Sequence, residues 1–322
     1  MSAPPPDSAR FALLAHLVDY AGLFPPAALD LEPALRNHLA YRDGRDAWML
    51  GRFIVPAARL GELAPFASRL AAGAPLRLSV LGVSPDEAGG PDLAAVLGAT
   101  RRRVAAAERE LAVRGDRFEL RASAEAAGDA ARFEREATDA AALLSADEAV
   151  AVEVPLVGDA YRPDAVAGAA HAVAAVNARA GRDAIALKFR CGGVTADAFP
   201  GVEALAAAIA ACRDAGAPFK ATAGLHHPVR HEAEAVGTHM HGFLNVFGGA
   251  VLAQRLGLDA DALAEVLDET DPAAFRLAEH FAWQGHAADG RAVAQARATL
   301  ALSYGSCSFD EPREDLRALD LL

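Results

Sequence analysis

The sequence holds lysine at only two positions, Lys188 and Lys220, although lysine and arginine together number 31. The other 29 basic side chains are arginine. Such a bias is what genome composition produces wherever either residue serves, so a position that keeps lysine is a candidate for work only an amine can do. Arginine does not lose its proton in a protein, whereas a buried lysine can, and only a neutral amine attacks a carbonyl carbon to form a Schiff base. The two stand 32 residues apart, in ALKFRCGG and PFKATAGLHH. Brought close together, each amine raises the cost of protonating the other, and with desolvation this repulsion pulls a lysine pKa toward neutrality. The plainer reading is a pair of lysines that snorkel or pair with carboxylates.

Other residues suggest what would surround the amines. Glu153 in VAVEVPL sits inside an apolar run, where a carboxylate must be paired or protonated. It is either a general acid/base or the salt-bridge partner of Lys188. Arg52, Arg121 and Arg190 join the lysines in a cationic set, balanced by Glu153 and Asp19, and a cationic pocket would draw in a small anion, carboxylate or phosphate. Arg121 and Arg190 are the expected clamps. Five of the ten histidines (His226, His227, His231, His239 and His241) fall within 16 residues. His226 is the expected proton carrier, and His227, His241 and Asn245 are expected to touch substrate. The alternative is a divalent metal held by His226, His227, His239 and His241, with Glu153 or Asp310 and Glu311 supplying oxygen. No other cofactor is indicated. Gly224, Gly305 and Ser306 could offer backbone amides to a phosphate, and Thr222 shares a strand face with Lys220. Cys191 and Cys307 read as packing residues, and with Cys212 they make an odd count without CxxC spacing.

The elements that must position these residues are visible as eight short β-type runs, each followed by a longer stretch of helical periodicity. The runs are 18–23, 50–55, 76–83, 117–121, 149–156, 184–190, 217–222 and 299–306, with helices expected over 59–72, 93–114, 124–143, 163–180 and 201–215. Eight strands alternating with helices in about 300 residues is the arithmetic of a (β/α)8 TIM-type barrel, one domain over 1–322. A doubly wound open sheet is the runner-up, without a GxGxxG after its first strand. The segment 224–298 is a long helical insertion between strands seven and eight. Barrel function gathers at the C-terminal ends of the strands, where both lysines are expected, with Asp19 and Tyr20 near the mouth at strand one. By the period of two, Lys188 shares a face with Arg190.

Two resemblances enter on these residues. KATAG and KFRCGG resemble the two lysine segments, K-x-[ST]-x-G and K-x-x-G-G, of class I aldolases of the deoxyribose-phosphate type, here in the opposite order. That likeness implies a nucleophile at Lys220 and a tuning partner at Lys188. HMHGFLN also resembles, more faintly, the HxHND metal motif of barrel lyases related to hydroxymethylglutaryl-CoA lyase. The chain as a whole resembles a bacterial family marked by DYAGLFPPA, KATAGLHHP, HGFLN and GSCSFDEP, which brings no activity with it.

Net charge of −12 argues against nucleic acid or an anionic membrane surface as partner. No apolar run reaches the roughly 20 residues of a membrane helix, and MSAPPPDSAR lacks a charged start followed by an apolar stretch, so a cytoplasmic location is expected. The FLNVFGGAVLA stretch is apolar enough for the core or for a homo-oligomer contact. The resulting expectation is an enzyme acting on a small anionic carbonyl compound by Schiff-base lyase or aldolase chemistry. Its rivals are a metal-dependent lyase or isomerase and a barrel that binds a metabolite without turning it over.

Overall fold

The computed structural model describes residues 4–322. In chain order its strands are β1 (Val18–Tyr20), β2 (Leu50–Pro56), β3 (Leu76–Leu81), β4 (Val113–Arg121), β5 (Ala149–Val154), β6 (Ile185–Arg190) and β7 (Phe219–Thr222). There follow β8 (His231–Ala233), β9 (Thr238–Met240), β10 (Phe275–Leu277), β11 (His280–Trp283), β12 (His286–Asp289) and β13 (Ala301–Ser306). Strands β1 to β7 and β13 close into a parallel barrel in the order β1-β13-β7-β6-β5-β4-β3-β2, the (β/α)8 architecture expected. Helices over Leu31–Arg42, Leu93–Glu110, Pro163–Ala180 and Val202–Ala215 connect successive strands. Two of them end at a glycine in the left-handed region, Gly181 and Gly216, which satisfies the last carbonyls without Cβ strain.

Four expectations change. The helix expected over 59–72 is a 3-10 helix over Ala57–Phe66 followed by one α turn over Ala67–Leu70, and the helix expected over 124–143 is broken at Asp129, which caps the second of its two pieces, Ala124–Gly128 and Ala130–Ala141. The helix over 93–114 stops at Glu110 because β4 begins at Val113, four residues earlier than the apolar pattern suggests. The insertion between β7 and β13 is mixed rather than helical. It contains the β8–β9 hairpin, a π-helical turn at Leu244–Gly248 running into a helix over Gly249–Leu256, a helix over Ala260–Asp268 and the antiparallel sheet β10-β11-β12. Gln284 and Gly285 both have positive φ, 42° and 86°, the two-residue turn that matches the twist of a hairpin and reverses the chain between Trp283 and His286. The FLNVFGGAVLA stretch is core: Phe243, Leu244, Val246, Phe247 and Ala250 to Ala253 are buried within the chain itself.

The apolar core is the shell between barrel and helices. Side chains such as Phe53, Phe118, Val152, Leu187, Phe189, Phe219 and Tyr304 are fully buried there. The barrel interior is different. Barrels are usually filled by layers of Val, Ile and Leu. Here the alternate strand positions carry Asp19, Ser79, Glu119, Glu153, Lys188, Lys220 and Ser303, all buried, beside the small Ala151 and Ala186. No helix among the described residues is long and apolar enough to cross a membrane.

Candidate active site

The interior charges form one alternating chain. Asp19 on β1 accepts from Lys220 Nζ and from Ser303 Oγ at 2.9 Å, and its second oxygen accepts from the Arg52 amide at 2.7 Å. Lys220 also meets Glu119 Oε1 at 3.0 Å. The other oxygen of Glu119 meets Lys188 Nζ at 2.9 Å, and Ser79 Oγ donates to Glu119 at 2.6 Å. Lys188 reaches Glu153 Oε2 at 3.0 Å. The far oxygen of Glu153 holds Arg121 Nη2 at 3.0 Å and lies 3.5 Å from Arg190 Nε. Each buried cation thus sits between carboxylates, as burial of charge demands.

The consequence for protonation is the reverse of mutual repulsion between amines. Burial opposes the Lys220 charge, but Asp19 and Glu119 outweigh it and raise its pKa. Burial likewise opposes ionisation of Asp19, Glu119 and Glu153, yet Lys220 beside the first two and Lys188 beside Glu119 and Glu153 hold all three carboxyls below their ordinary range. At neutral pH Asp19, Glu119 and Glu153 are therefore carboxylates and Lys220 an ammonium.

The two lysines do not open on the same space. Lys188, Glu119 and Arg190 line a cavity of about 460 Å³ at the C-terminal ends of the strands, with Thr222, Gly224 and His226. Lys220 lines a second cavity, of about 360 Å³, at the N-terminal ends. Glu119 borders both. The expectation that both amines reach the mouth therefore holds for Lys188 alone. Arg52 also faces the lower cavity, locked to Asp116 by two bonds of 2.6 and 3.1 Å. Asp19 stands in the barrel interior below the mouth, and Tyr20 packs among His38, Tyr41 and Phe53.

Beside the mouth, Arg121, Arg162 and Arg190 line a recess of about 600 Å³ that also touches Glu153, so Arg190 borders both spaces. Gly224 has φ of +69°, and a Cβ there would stand 2.8 Å from the Cys191 carbonyl oxygen, so the loops after β6 and β7 can cross only at a glycine. Gly305 lines the mouth, whereas Ser306 is buried, its Oγ accepting from the Ser308 amide at 3.3 Å.

The histidines disperse. His226 borders the mouth, 3.1 Å from Glu311 and 3.8 Å from the Cys307 sulfur, so the cysteine that read as a packing residue has an imidazole beside it. Burial nevertheless raises the Cys307 thiol pKa, the opposite of activation. His227 pairs with Asp315 at 2.5 Å and meets His231 edge-on. His239 lies on the exposed side of the β8–β9 hairpin. His241 is fully buried, bonded through Nε2 to the Pro200 carbonyl at 2.8 Å, and burial lowers its pKa to about 4. Asn245 is also fully buried and braces the insertion: it accepts from the Arg230 amide and donates to the Val266 and Glu269 carbonyls. Neither His241 nor Asn245 can touch a ligand at the mouth. Among the described residues no group of three or more His, Cys, Asp or Glu side chains is placed to hold a metal ion. The set His226, His227, His239 and His241 does not converge.

Glu119, the hub of the site, is the residue sequence reasoning overlooks. Its signal is the one that marks Glu153, a carboxylate alternating with inward positions of a strand, here between Arg117 and Arg121 in RFELR.

No protein-family profile and no curated protein matches this sequence. Among solved structures, a dihydropteroate synthase from Coxiella burnetii, in complex with pteroic acid, aligns over 95% of this chain and 92% of its own at 12% identity and a TM-score of 0.42. A likeness that distant carries no chemistry across.

Proposed function

We propose that the protein is an enzyme acting on a small anionic carbonyl compound through a Schiff base, in the manner of a class I aldolase or lyase, with Lys188 as the nucleophile. The observation that carries this reading is the place of Lys188: its amine contacts two buried carboxylates, Glu119 and Glu153, where the mouth cavity meets a cluster of arginines. Lys220, to which the aldolase-like segment points, has its amine engaged by Asp19 and Glu119 away from the mouth.

In the proposed reaction Lys188 passes its ammonium proton to Glu153, and the freed nitrogen attacks the substrate carbonyl carbon. The resulting carbinolamine loses its oxygen as water, with the proton returned by the same carboxyl group, and leaves an iminium ion. That ion accepts the electron pair of the carbon–carbon bond that breaks while His226 takes the proton of the β-hydroxyl group, so that a carbonyl fragment leaves and an enamine remains on Lys188; His226 then returns the proton to the enamine carbon and regenerates the Schiff base. Water then hydrolyses the Schiff base and restores the amine. Arg190 and Arg121 hold the anionic group, and His226 is the second proton carrier at the mouth. Lys220 is a positioning residue, keeping Glu119 ionised and in place.

Borohydride reduction in the presence of small oxo acids and sugar phosphates tests the proposal. The expected product is a mass adduct on the tryptic peptide 183–190, because a reduced Lys188 adduct blocks cleavage after that residue, and the adduct disappears in Lys188→Met. An adduct on Lys220, or none with any carbonyl, overturns it. Binding of the same compounds without adduct or turnover would mark a metabolite-binding barrel instead.

A further inference from the structure

None of the groups assigned to touch substrate at the mouth lines the cavity at the N-terminal ends of the strands, which shares Glu119 with it. Its charges are unbalanced. Arg52 and Arg77 share Asp116, and Lys220 is held by Asp19 and Glu119. Two further guanidiniums on the wall, Arg117 and Arg297, have no carboxylate partner among the described residues. Counting Asp116 behind the wall and Asp183 at the rim, five cations face four carboxylates, and one of these, Glu119, is shared with Lys188.

Arg297 donates to the backbone carbonyls of Leu13, Ala15, Ala301 and Leu302, which fix it in place but bring no opposite charge. Arg117 spends Nη1 on the Asp116 and Asp147 carbonyls, at 2.8 and 3.2 Å. Its Nε and Nη2, the edge of a guanidinium that grips two oxygens of one anion, make no hydrogen bond within the described protein, and the side chain is half-buried. Burial, and then the like charge of Arg52, depress the Arg117 pKa, while burial lowers that of Arg297 to about 10. A partly buried cation without a counter-ion gives up part of its hydration, and a bound anion offsets that loss.

We infer that the N-terminal cavity is a second ligand site, which takes a small oxyanion, a phosphate or the phosphoryl group of a metabolite, on the free edge of Arg117, with Arg297 adding positive charge to the same cavity. This site is independent of the reaction assigned to the mouth.

Titration calorimetry of the full chain with inorganic phosphate at low salt, to about 10 mM, separates the two ends of the barrel. In Arg121→Gln/Arg190→Gln, which strips the mouth of its clamps, one phosphate still binds. Adding Arg117→Gln weakens it at least about tenfold, as expected for loss of a two-bond charged contact. Protection of the unaltered protein gives a second reading that does not depend on variant folding: phosphate slows phenylglyoxal modification of Arg117, while the exposed Arg102 reacts at an unchanged rate. No binding in the mouth variant, undiminished binding after Arg117→Gln, or Arg117 modified equally fast with phosphate present overturns the inference.

Discussion

Replacing Glu119 by glutamine removes one negative charge and almost no volume from the centre of the barrel. Glu119 meets Lys188 at 2.9 Å and Lys220 at 3.0 Å. With an effective dielectric near 20, each contact is worth roughly 5 kcal/mol of gross attraction. Much of that is offset by relief of burying the carboxylate, and an amide still accepts a hydrogen bond, so the net loss expected for a broken buried pair is about 3–5 kcal/mol. For a chain of this length that corresponds to a melting temperature lower by roughly 4–7 °C. Urea unfolding followed by circular dichroism measures the loss directly. A double-mutant cycle checks its origin, since Glu119→Gln/Lys188→Met deletes one charge of each sign and leaves Lys220 with Asp19 and Glu153 with its arginines. The double variant should therefore be more stable than the sum of the single losses by at least about 1 kcal/mol. Additive losses, or a Glu119→Gln protein within about 0.5 kcal/mol of the parent, would refute the reading of Glu119 as the shared counter-ion.

Two further outcomes follow from burial and backbone geometry. Burial, the largest cause in each case, lowers His38 to about 3 and His241 to about 4, so the unfolded chain binds protons first as pH falls below about 6.5. Stability measured by urea titration should decline from there toward pH 4, and then more steeply as the unfolded counterparts of Asp19, Glu119 and Glu153 protonate. His241→Phe should flatten the first decline; an unchanged slope would show that His241 is not held neutral. Gly224→Ala places a Cβ in the left-handed region against the Cys191 carbonyl and should cost about 1–3 kcal/mol in the same assay.

The fold was legible because parallel barrel strands announce themselves as apolar runs at regular spacing, and β5 and β6 are buried on nearly every residue. Side-chain direction was legible too, for Lys188, Lys220 and Glu153 all point inward. Height along the barrel axis was not. Lys188 and Lys220 are register partners across β6 and β7, but tilted, staggered strands put such partners at different depths, so a period of two cannot say which amine meets the mouth. The histidines show a different limit: closeness in sequence says little about a loop whose hairpin and π-helical turn send His226, His239 and His241 to separate surroundings. The small sheet at β10–β12 was marked only by Gln284-Gly285 between aromatic-rich segments, too brief to compete with the helical pattern around it.

The ion chain inside the barrel also divides the sequence against itself. Its first half, through β4, brings the carboxylates Asp19 and Glu119, and its second half brings the amines Lys188 and Lys220. Lys188 finds one carboxylate, Glu153, within its own half, but Lys220 finds both of its carboxylates only in the other. The partnering of Asp19 with Lys220, 201 residues away, is complete only when strands from both ends of the chain have met.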